Sequence, residues 1–176
     1  DREYTVDVTA AGEGLVTVEV PAGAVVDYGN NPNDASSVEW MYDTTPPTVA
    51  LDVPQAITAD AMQVVGISFN EEVEGFDLTD VTVTNGSAAN LVEVTPGMEY
   101  TVEVTASANG EVIVEVPLAA VTDLAGNEND VSEISWQYDN VAPTISLASG
   151  VAGITGQQTV TVTITADEPV SGLALE

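Results

Sequence analysis

The sequence contains no cysteine and no histidine, and its only basic residue is Arg2. Without cysteine or histidine the chain cannot form a disulfide, a thiolate nucleophile, a Ser–His–Asp unit or a typical tetrahedral zinc site. With no lysine it also lacks the clustered cations that bind nucleic-acid phosphates or an anionic membrane surface. We therefore expect no nucleic-acid partner and no direct membrane contact, and the chemistry that remains is that of carboxylates.

Acidic side chains dominate the charge. The 29 aspartates and glutamates give a formal net charge of −28 in 176 residues, yet 44% of the residues are hydrophobic. That hydrophobic content is typical of a folded protein and not of a charged disordered tail. No apolar run reaches the roughly 18 residues of a membrane span, and no signal peptide opens the chain. Because the first segment already has strand character, we interpret the chain as part of a longer protein.

The chain repeats itself with a constant offset. The string EYTV at 3–6 returns 96 positions later at 99–102, and VTVEVP at 16–21 returns as VIVEVP at 112–117. Such self-similarity indicates a tandem array of one structural unit. A unit of this length is an ordinary size for an independent domain.

Prolines mark the joints between the units. Pro46-Pro47 and Ala142-Pro143 stand at equivalent positions, and proline removes strand hydrogen bonds and favours an extended linker. The predicted units are the C-terminal half of a repeat at 1–44, a complete repeat at 45–140 and the N-terminal part of a third repeat at 141–176.

Within the complete repeat, apolar and polar side chains alternate. In the segment 99–106, for example, Tyr100, Val102 and Val104 share one face, which is the period of a half-buried strand. Turn signals such as Asn85-Gly86 and Asn109-Gly110 separate the strands. The predicted strands are about 47–53, 62–69, 80–85, 90–94, 99–106, 111–117 and 132–138.

Seven short strands with alternating faces predict an all-β fold of tandem immunoglobulin-like sandwich modules of about 96 residues, with a small barrel as the alternative. One detail bears on the choice. A tight hairpin at Asn109-Gly110 would join the fifth and sixth strands in one sheet, whereas the sandwich places them in different sheets. The core of either fold is expected to contain Trp136 and Tyr138, and equally Trp40 and Tyr42.

Six ordered strings carry a family resemblance. They are FNEEVEGF at 69–76, DVTVTNG at 80–86, YTVEVT at 100–105, VEVP at 114–117, DLAGNEN at 123–129 and YDNVAPT at 138–144. Together they resemble the bacterial Ig-like repeats of giant secreted adhesins. The resemblance implies long arrays at the cell surface, in which each repeat contacts its neighbours and calcium often rigidifies a stalk between an anchor and a terminal binding domain.

In the sandwich, the loops 70–79 and 121–131 lie at the end where the linker 43–47 arrives. Acids and amides from distant positions would therefore converge there, and carboxylate and carbonyl oxygens are the ligands that calcium prefers. Magnesium demands stricter geometry. The candidate metal ligands are Asp43, Glu71, Glu72, Asp123, Asn127 and Asn129 at the first joint, and Asp139, Asp167 and Glu168 at the second.

A simpler interpretation of the same residues remains open. Asp123, Gly126 and Asn127 can also form an Asx-stabilised turn with no metal. The first repeat has DYGNNPN at 27–33 where the second has DLAGNEN, so its loop is not expected to have identical metal geometry. Paired acids such as Glu71 and Glu72 could support acid–base chemistry, but the array repeats them at each joint, which is not typical of a catalytic site.

We therefore predict that the chain is not an enzyme and has no small-molecule substrate. It is expected to be a structural extender segment of an extracellular, cell-surface adhesin with calcium at its joints. Two alternatives remain: an Ig-like module that itself binds a glycan or another ligand, and an acidic surface-layer type protein of a halophile whose charge serves solubility in brine.

Overall fold

The computed structural model describes residues 3–53 and 55–174. Across these two ranges the regular elements are strands, apart from a 3-10 turn at Leu78–Asp80. The same ranges contain no helix with the length and apolar character needed to cross a membrane. The strands are β1 (Gly14–Val20), β2 (Ser36–Tyr42), β3 (Val49–Asp52), β4 (Ile57–Thr58), β5 (Met62–Phe69), β6 (Val73–Glu74), β7 (Thr82–Thr84), β8 (Gly86–Thr95), β9 (Glu99–Ala106), β10 (Gly110–Val116), β11 (Thr122–Asp123), β12 (Ser132–Tyr138), β13 (Ile145–Ser149) and β14 (Val162–Ala166).

The central module is built from two four-stranded sheets. Their strand orders are β3-β5-β9-β8 and β4-β12-β10-β7. Neighbouring strands are antiparallel, except that β4 runs parallel to β12. Because consecutive strands change sheets, the two sheets face each other as an immunoglobulin-like β-sandwich, and the predicted fold class is confirmed.

The loop after β9 decides between sandwich and barrel. Only residues 107–109 separate β9 from β10, yet the two strands belong to different sheets. Asn109-Gly110 therefore lies in an arch across the sandwich and not in a hairpin. Gly110 has a φ of 130°, a value that favours glycine and lets the chain turn out of one sheet into the other.

The core lies between the two sheets and follows the predicted alternation. Val102 and Val104 of β9 and Val112, Val114 and Val116 of β10 have no exposed surface. Burial of each such side chain contributes about 1.5–3 kcal/mol relative to an exposed one. The acidic residues between them point to the opposite faces, so a highly charged chain still forms an apolar interior.

Three predicted strands have the observed bounds, namely β5, β9 and β12. The strand predicted at 90–94 is longer, because β8 extends over Gly86–Thr95 with interruptions of its register against β9. Three two-residue strands, β4, β6 and β11, were not predicted, since two residues carry no periodicity. The pair β6–β11 places Asp123 opposite Val73 at one end of the sandwich.

The flanking segments each form a two-stranded antiparallel sheet, β1–β2 before the central module and β13–β14 after it. Val16 pairs with Trp40 as Val112 pairs with Trp136, so the repeat extends to the register. Trp136 is 2% exposed, whereas Trp40 and Tyr42 are 39% and 40% exposed. The prediction that Trp40 and Tyr42 are core residues is wrong for the described chain, because no second sheet among its described residues covers β1–β2.

Candidate metal centre

Three carboxylates meet at the joint before the central module. Asp43 follows β2, Glu71 follows β5, and Asp123 ends β11. One carboxylate oxygen from each residue lies within 4.8 Å of the other two. The structure thus brings together acids from the linker and from two segments of the central module, at the end of the sandwich where the sequence places them.

Asp123 is held by its own loop. Its Oδ1 atom accepts hydrogen bonds from the main-chain N–H groups of Ala125 (2.8 Å) and Asn127 (2.9 Å), and its Oδ2 atom accepts one from Nδ2 of Asn127 (2.8 Å). Although Asp123 is only 3% exposed and burial by itself raises its pKa, these bonds and one involving Gly126 hold the pKa below its usual range. The carboxylate is therefore kept charged inside the joint.

Asn127 links this loop to the linker. The same Nδ2 atom that donates to Asp123 also donates to the main-chain oxygen of Asp43, at 3.3 Å. Asn127 therefore contacts two of the three acidic residues through its amide nitrogen. The Asx-stabilised turn and the convergence of acids are both present, so the two interpretations of the loop do not exclude each other.

Asn129 is hydrogen-bonded to main-chain groups around its own loop. It has no exposed surface, and its Oδ1 atom accepts a hydrogen bond from the main-chain N–H of Val121 at 2.9 Å. Its Nδ2 atom donates to the main-chain oxygens of Pro117 and Asp130, each at 2.8 Å. The side chain closes the base of the loop.

Glu71 has a raised pKa at this joint. It is half-buried, and its pKa is raised by burial and then by the negative charges of Asp123, Asp43 and Glu13, while a hydrogen bond from Asn70 opposes the shift. Burial is the first cause of this shift, and repulsion from the neighbouring carboxylates adds to it. The chain contains one basic residue in total, so it offers almost no counter-charge of its own.

Glu72 is exposed and does not belong to the group of three. It lies at the rim of a cavity of about 360 Å³ that opens on the joint. The cavity is lined by Met41, Asp43, Glu71, Glu72, Leu124 and Ala125. Glu72 thus adds charge near the joint without joining the convergence point.

Glu13 was not among the predicted residues. Its carboxylate accepts hydrogen bonds from the main-chain N–H of Thr44 (3.1 Å) and from the hydroxyl groups of Thr44 (2.5 Å) and Thr45 (2.9 and 2.8 Å). These bonds, led by that of the Thr44 hydroxyl, lower the pKa of Glu13. The repeat shows the same contact 96 positions later, where Asn109 corresponds to Glu13 and Asn140 to Thr44. There the side chain of Asn109 accepts a hydrogen bond from the main-chain N–H of Asn140 at 3.1 Å.

The second joint differs from the first. Among the residues that the structure describes, Asp139, Asp167 and Glu168 do not form a group of three converging carboxylates. Asp139 is exposed and accepts a hydrogen bond from Val141. Asp167 accepts one from the main-chain N–H of Thr144 at 2.8 Å, as Asn70 does from Thr48. Asp167 therefore takes the place of Asn70, and the counterpart of Glu71 is Glu168.

The first-repeat loop reproduces the hydrogen bonds of the second despite its different sequence. Asp27 accepts from the main chain and the side chain of Asn31, at 2.9 Å and 3.0 Å, and Asn33 accepts from Val25 at 2.9 Å. Asn30, with a φ of 64°, replaces Gly126 in the left-handed turn position. Asp27 differs from Asp123 in being exposed, and the expectation that this loop lacks identical metal geometry stays a prediction.

The donor set at the first joint fits a calcium ion. Calcium–oxygen bonds are about 2.3–2.6 Å long, so two oxygens on one ion lie at most about 5 Å apart, and the three carboxylate oxygens meet that limit. Carboxylate oxygens already accepting one hydrogen bond keep a lone pair for a cation. Such a cation would offset the negative charges of Asp123 and Asp43, which add to the effect of burial in raising the pKa of Glu71.

Comparison with known proteins places the chain in a family. No curated protein sequence matches it. Among solved structures it is similar to the N-terminal part of the bacterial S-layer protein SbsC, with 14% identity and a TM-score of 0.38. That match covers 70% of this chain and 41% of the other. The sequence pattern of the bacterial Ig-like domain matches residues 43–138, which is more than half of the chain, and the chain therefore belongs to the bacterial Ig-like domain family.

Proposed function

We propose that this chain is an extender segment of an extracellular bacterial adhesin, in which tandem Ig-like modules space a terminal binding domain from the cell surface. The observation that carries the proposal is the origin of the three converging carboxylates. Asp43 lies in the linker that follows β2, while Glu71 follows β5 and Asp123 ends β11 of the central module. A cation held by all three would connect the linker directly to the central module.

Calcium is the proposed cation, and it would supply positive charge to a site of hard oxygen ligands. Asp43, Glu71 and Asp123 would hold it. Asn127 keeps the Asp123 carboxylate oriented and also contacts the main chain at Asp43. Glu13 holds the linker through Thr44 and Thr45, so that Asp43 is presented to the central module in one position.

The mechanical role follows from distances. A strand of about eight residues spans about 26 Å, and a module with its loops adds on the order of 40 Å of reach. Repulsion between exposed acids fades beyond about 8 Å at physiological salt. Charge alone therefore does not align successive modules, whereas a cation at the joint does. The partners of each module are its neighbours in the same chain.

Calcium titration of the 176-residue chain by calorimetry tests the proposal. Asp43→Asn, Glu71→Gln and Asp123→Asn should each lower calcium affinity about tenfold or more. Asp27→Asn is the matched control, because Asp27 accepts the same loop hydrogen bonds but is exposed. Equal loss of affinity in Asp27→Asn and Asp123→Asn, or no calcium binding by the unmodified chain, would refute the calcium joint.

Small-angle scattering tests the spacing role separately. We expect an extended particle in calcium that becomes more flexible after chelation, while circular dichroism shows that the strands persist. Unchanged dimensions and flexibility would mean that proline and packing alone hold the joint. The extender role would then stand without calcium.

A second candidate function is favoured by one observation, the net charge of −28. An acidic surface-layer type protein of a halophile would use that charge for solubility in brine. Folding that requires molar monovalent salt and is indifferent to calcium would favour this function. Folding at low salt, with a response to millimolar calcium, would favour the extender.

A further inference from the structure

The chain contains two Asn-Gly pairs, Asn85-Gly86 and Asn109-Gly110. An asparagine before glycine can lose its side-chain amide spontaneously, because the glycine nitrogen is not shielded by a side chain. Both pairs lie at the ends of strands, but the two asparagines have very different surroundings. The difference makes one of them a candidate modification site and the other its internal control.

Asn85 is locked in place. Its Nδ2 atom donates to the main-chain oxygens of Ala108 (2.8 Å) and Glu111 (3.1 Å), and its own main-chain oxygen accepts from Ser107 at 2.9 Å. The following Gly86 is packed so closely that an added Cβ would lie 2.8 Å from the oxygen of Thr105. The leaving group of this pair is therefore held by two hydrogen bonds, and the main chain at Gly86 is tightly packed.

Asn109 is exposed, in the arch between β9 and β10. Its Oδ1 atom accepts a hydrogen bond from the main-chain N–H of Asn140 at 3.1 Å, and no described residue accepts a hydrogen bond from its Nδ2 atom. Hydrogen bonding to the amide oxygen polarises the Cγ–O bond towards attack. The amide nitrogen, which must leave, is free.

We propose that Asn109 is a site of spontaneous deamidation in the folded protein. The main-chain nitrogen of Gly110 attacks Cγ of Asn109, the Cγ–Nδ2 bond breaks, and ammonia leaves with the proton of the Gly110 N–H. Water then opens the resulting five-membered imide at either carbonyl, which yields aspartate or isoaspartate. The net reaction converts an amide and water into a carboxylate and ammonium.

The modification would change the second joint. Asn109 occupies the position of Glu13, whose carboxylate already binds the main-chain N–H of Thr44 in the equivalent place at the first joint. An aspartate at 109 keeps an acceptor for Asn140 and adds one negative charge near Asp139. An isoaspartate lengthens the main chain by one methylene and removes the side-chain acceptor from its place.

Peptide mapping by mass spectrometry, with fragmentation that separates aspartate from isoaspartate, tests the proposal. The folded chain is kept at mildly alkaline pH and the acid content at 85 and 109 is followed with time. We expect Asn109 to convert about tenfold or more faster than Asn85, because Asn85 must first break two hydrogen bonds. In concentrated urea the two rates should become nearly equal.

Asn109→Gln is the matched variant, since glutamine forms the corresponding six-membered imide far more slowly. It should abolish acid formation at 109 and leave the rate at Asn85 unchanged. Equal rates at 85 and 109 in the folded chain, faster conversion at 85, or no conversion at 109 would overturn the proposal.

Discussion

Asn127 donates through one side-chain nitrogen to the carboxylate of Asp123, at 2.8 Å, and to the main-chain oxygen of Asp43, at 3.3 Å. A single amide therefore joins the linker after β2 to the loop that follows β11 in the central module. Asn31, at the equivalent position of the first repeat, contacts only Asp27 in this way, at 3.0 and 3.2 Å. Asn31 and Asn127 therefore make the same bond to their own loop, and Asn127 also contacts the linker. Comparing variants of the two residues tests what that additional contact contributes.

Asn127→Ala should weaken calcium binding about 10–100-fold, as is typical when the residue that orients a metal ligand is removed. The carboxylates themselves remain, so some binding should persist. Calorimetric titration measures the change. Asn31→Ala should leave calcium affinity unaltered, and a similar loss in both variants would argue against a role for Asn127 at the joint.

The raised pKa of Glu71 makes the calcium-free joint sensitive to pH. Because the folded pKa lies above the unfolded reference of 4.5, the folded state binds this proton more tightly, and the Glu71 contribution to stability falls as pH rises through that window. In chelator, Glu71→Gln should therefore be more stable than the unmodified chain at neutral pH. The difference should disappear below about pH 4.5.

Thermal unfolding at several pH values measures this contribution. Glu133→Gln, on the exposed side of β12, is the control and should not alter the pH dependence. In excess calcium the order should reverse, because the charged carboxylate is then the better ligand. A Glu71→Gln variant that is less stable in chelator at neutral pH would contradict the prediction.

Asn129→Ala should destabilise the central module by about 2–4 kcal/mol, because it leaves the main-chain groups of Val121 and Pro117 without their partner in a buried place. Denaturant unfolding, followed by the fluorescence of Trp136, measures the loss. Asn33→Ala removes the same bonds from the loop of the first repeat. It should leave the unfolding of the central module unchanged.

Val114→Ala should lower the free energy of unfolding by about 1.5–3 kcal/mol, since the side chain has no exposed surface and its loss leaves a cavity. Val18 occupies the same position 96 residues earlier, in β1, where it is only half-buried. Val18→Ala should have little effect on the same transition. Equal effects would mean that the sheet β1–β2 and the sandwich unfold as one unit.

Glu13→Ala should loosen the first joint and leave the sandwich intact, because within residues 3–53 and 55–174 the side chain of Glu13 accepts its hydrogen bonds from the linker residues Thr44 and Thr45. Hydrogen exchange at the Thr44 amide should become faster. Asn109→Ala should have the matching effect at Asn140. Unchanged exchange at Thr44 would show that the linker is held by other contacts.

The long strands could be predicted because alternation is a local property. In β5, β9 and β12, each side chain indicates its own face, and the predicted bounds agree with the structure. The short strands β4, β6 and β11 could not be predicted, because their pairing depends on how distant segments are brought together. Trp40 was wrongly predicted to be a core residue. Alternation within β2 indicates which face a side chain is on, but not whether a second sheet covers that face.

The part of the candidate site that depends only on the fold topology could be predicted. Asp43, Glu71 and Asp123 follow from knowing which loops share an end of the sandwich, and their oxygens do converge. The binding of a cation stays a prediction. Glu13 was missed because its role depends on how the preceding module meets the linker. The third repeat is shifted by one residue, so Asp167 accepts the hydrogen bond that Asn70 accepts in the central module, and its role as a ligand stays a prediction.

The parallel pairing of β4 with β12 has a consequence for a chain under tension. Gln137 and Asp139 donate to the main-chain oxygens of Ala56 and Thr58, each at 2.9 Å. β4 lies near the N-terminal end of the module and β12 near its C-terminal end, and the two strands are parallel. A pull on both ends would slide β4 along β12, so these bonds would be loaded together in shear instead of opening one after another. We therefore expect the short strand β4 to resist extension of the module.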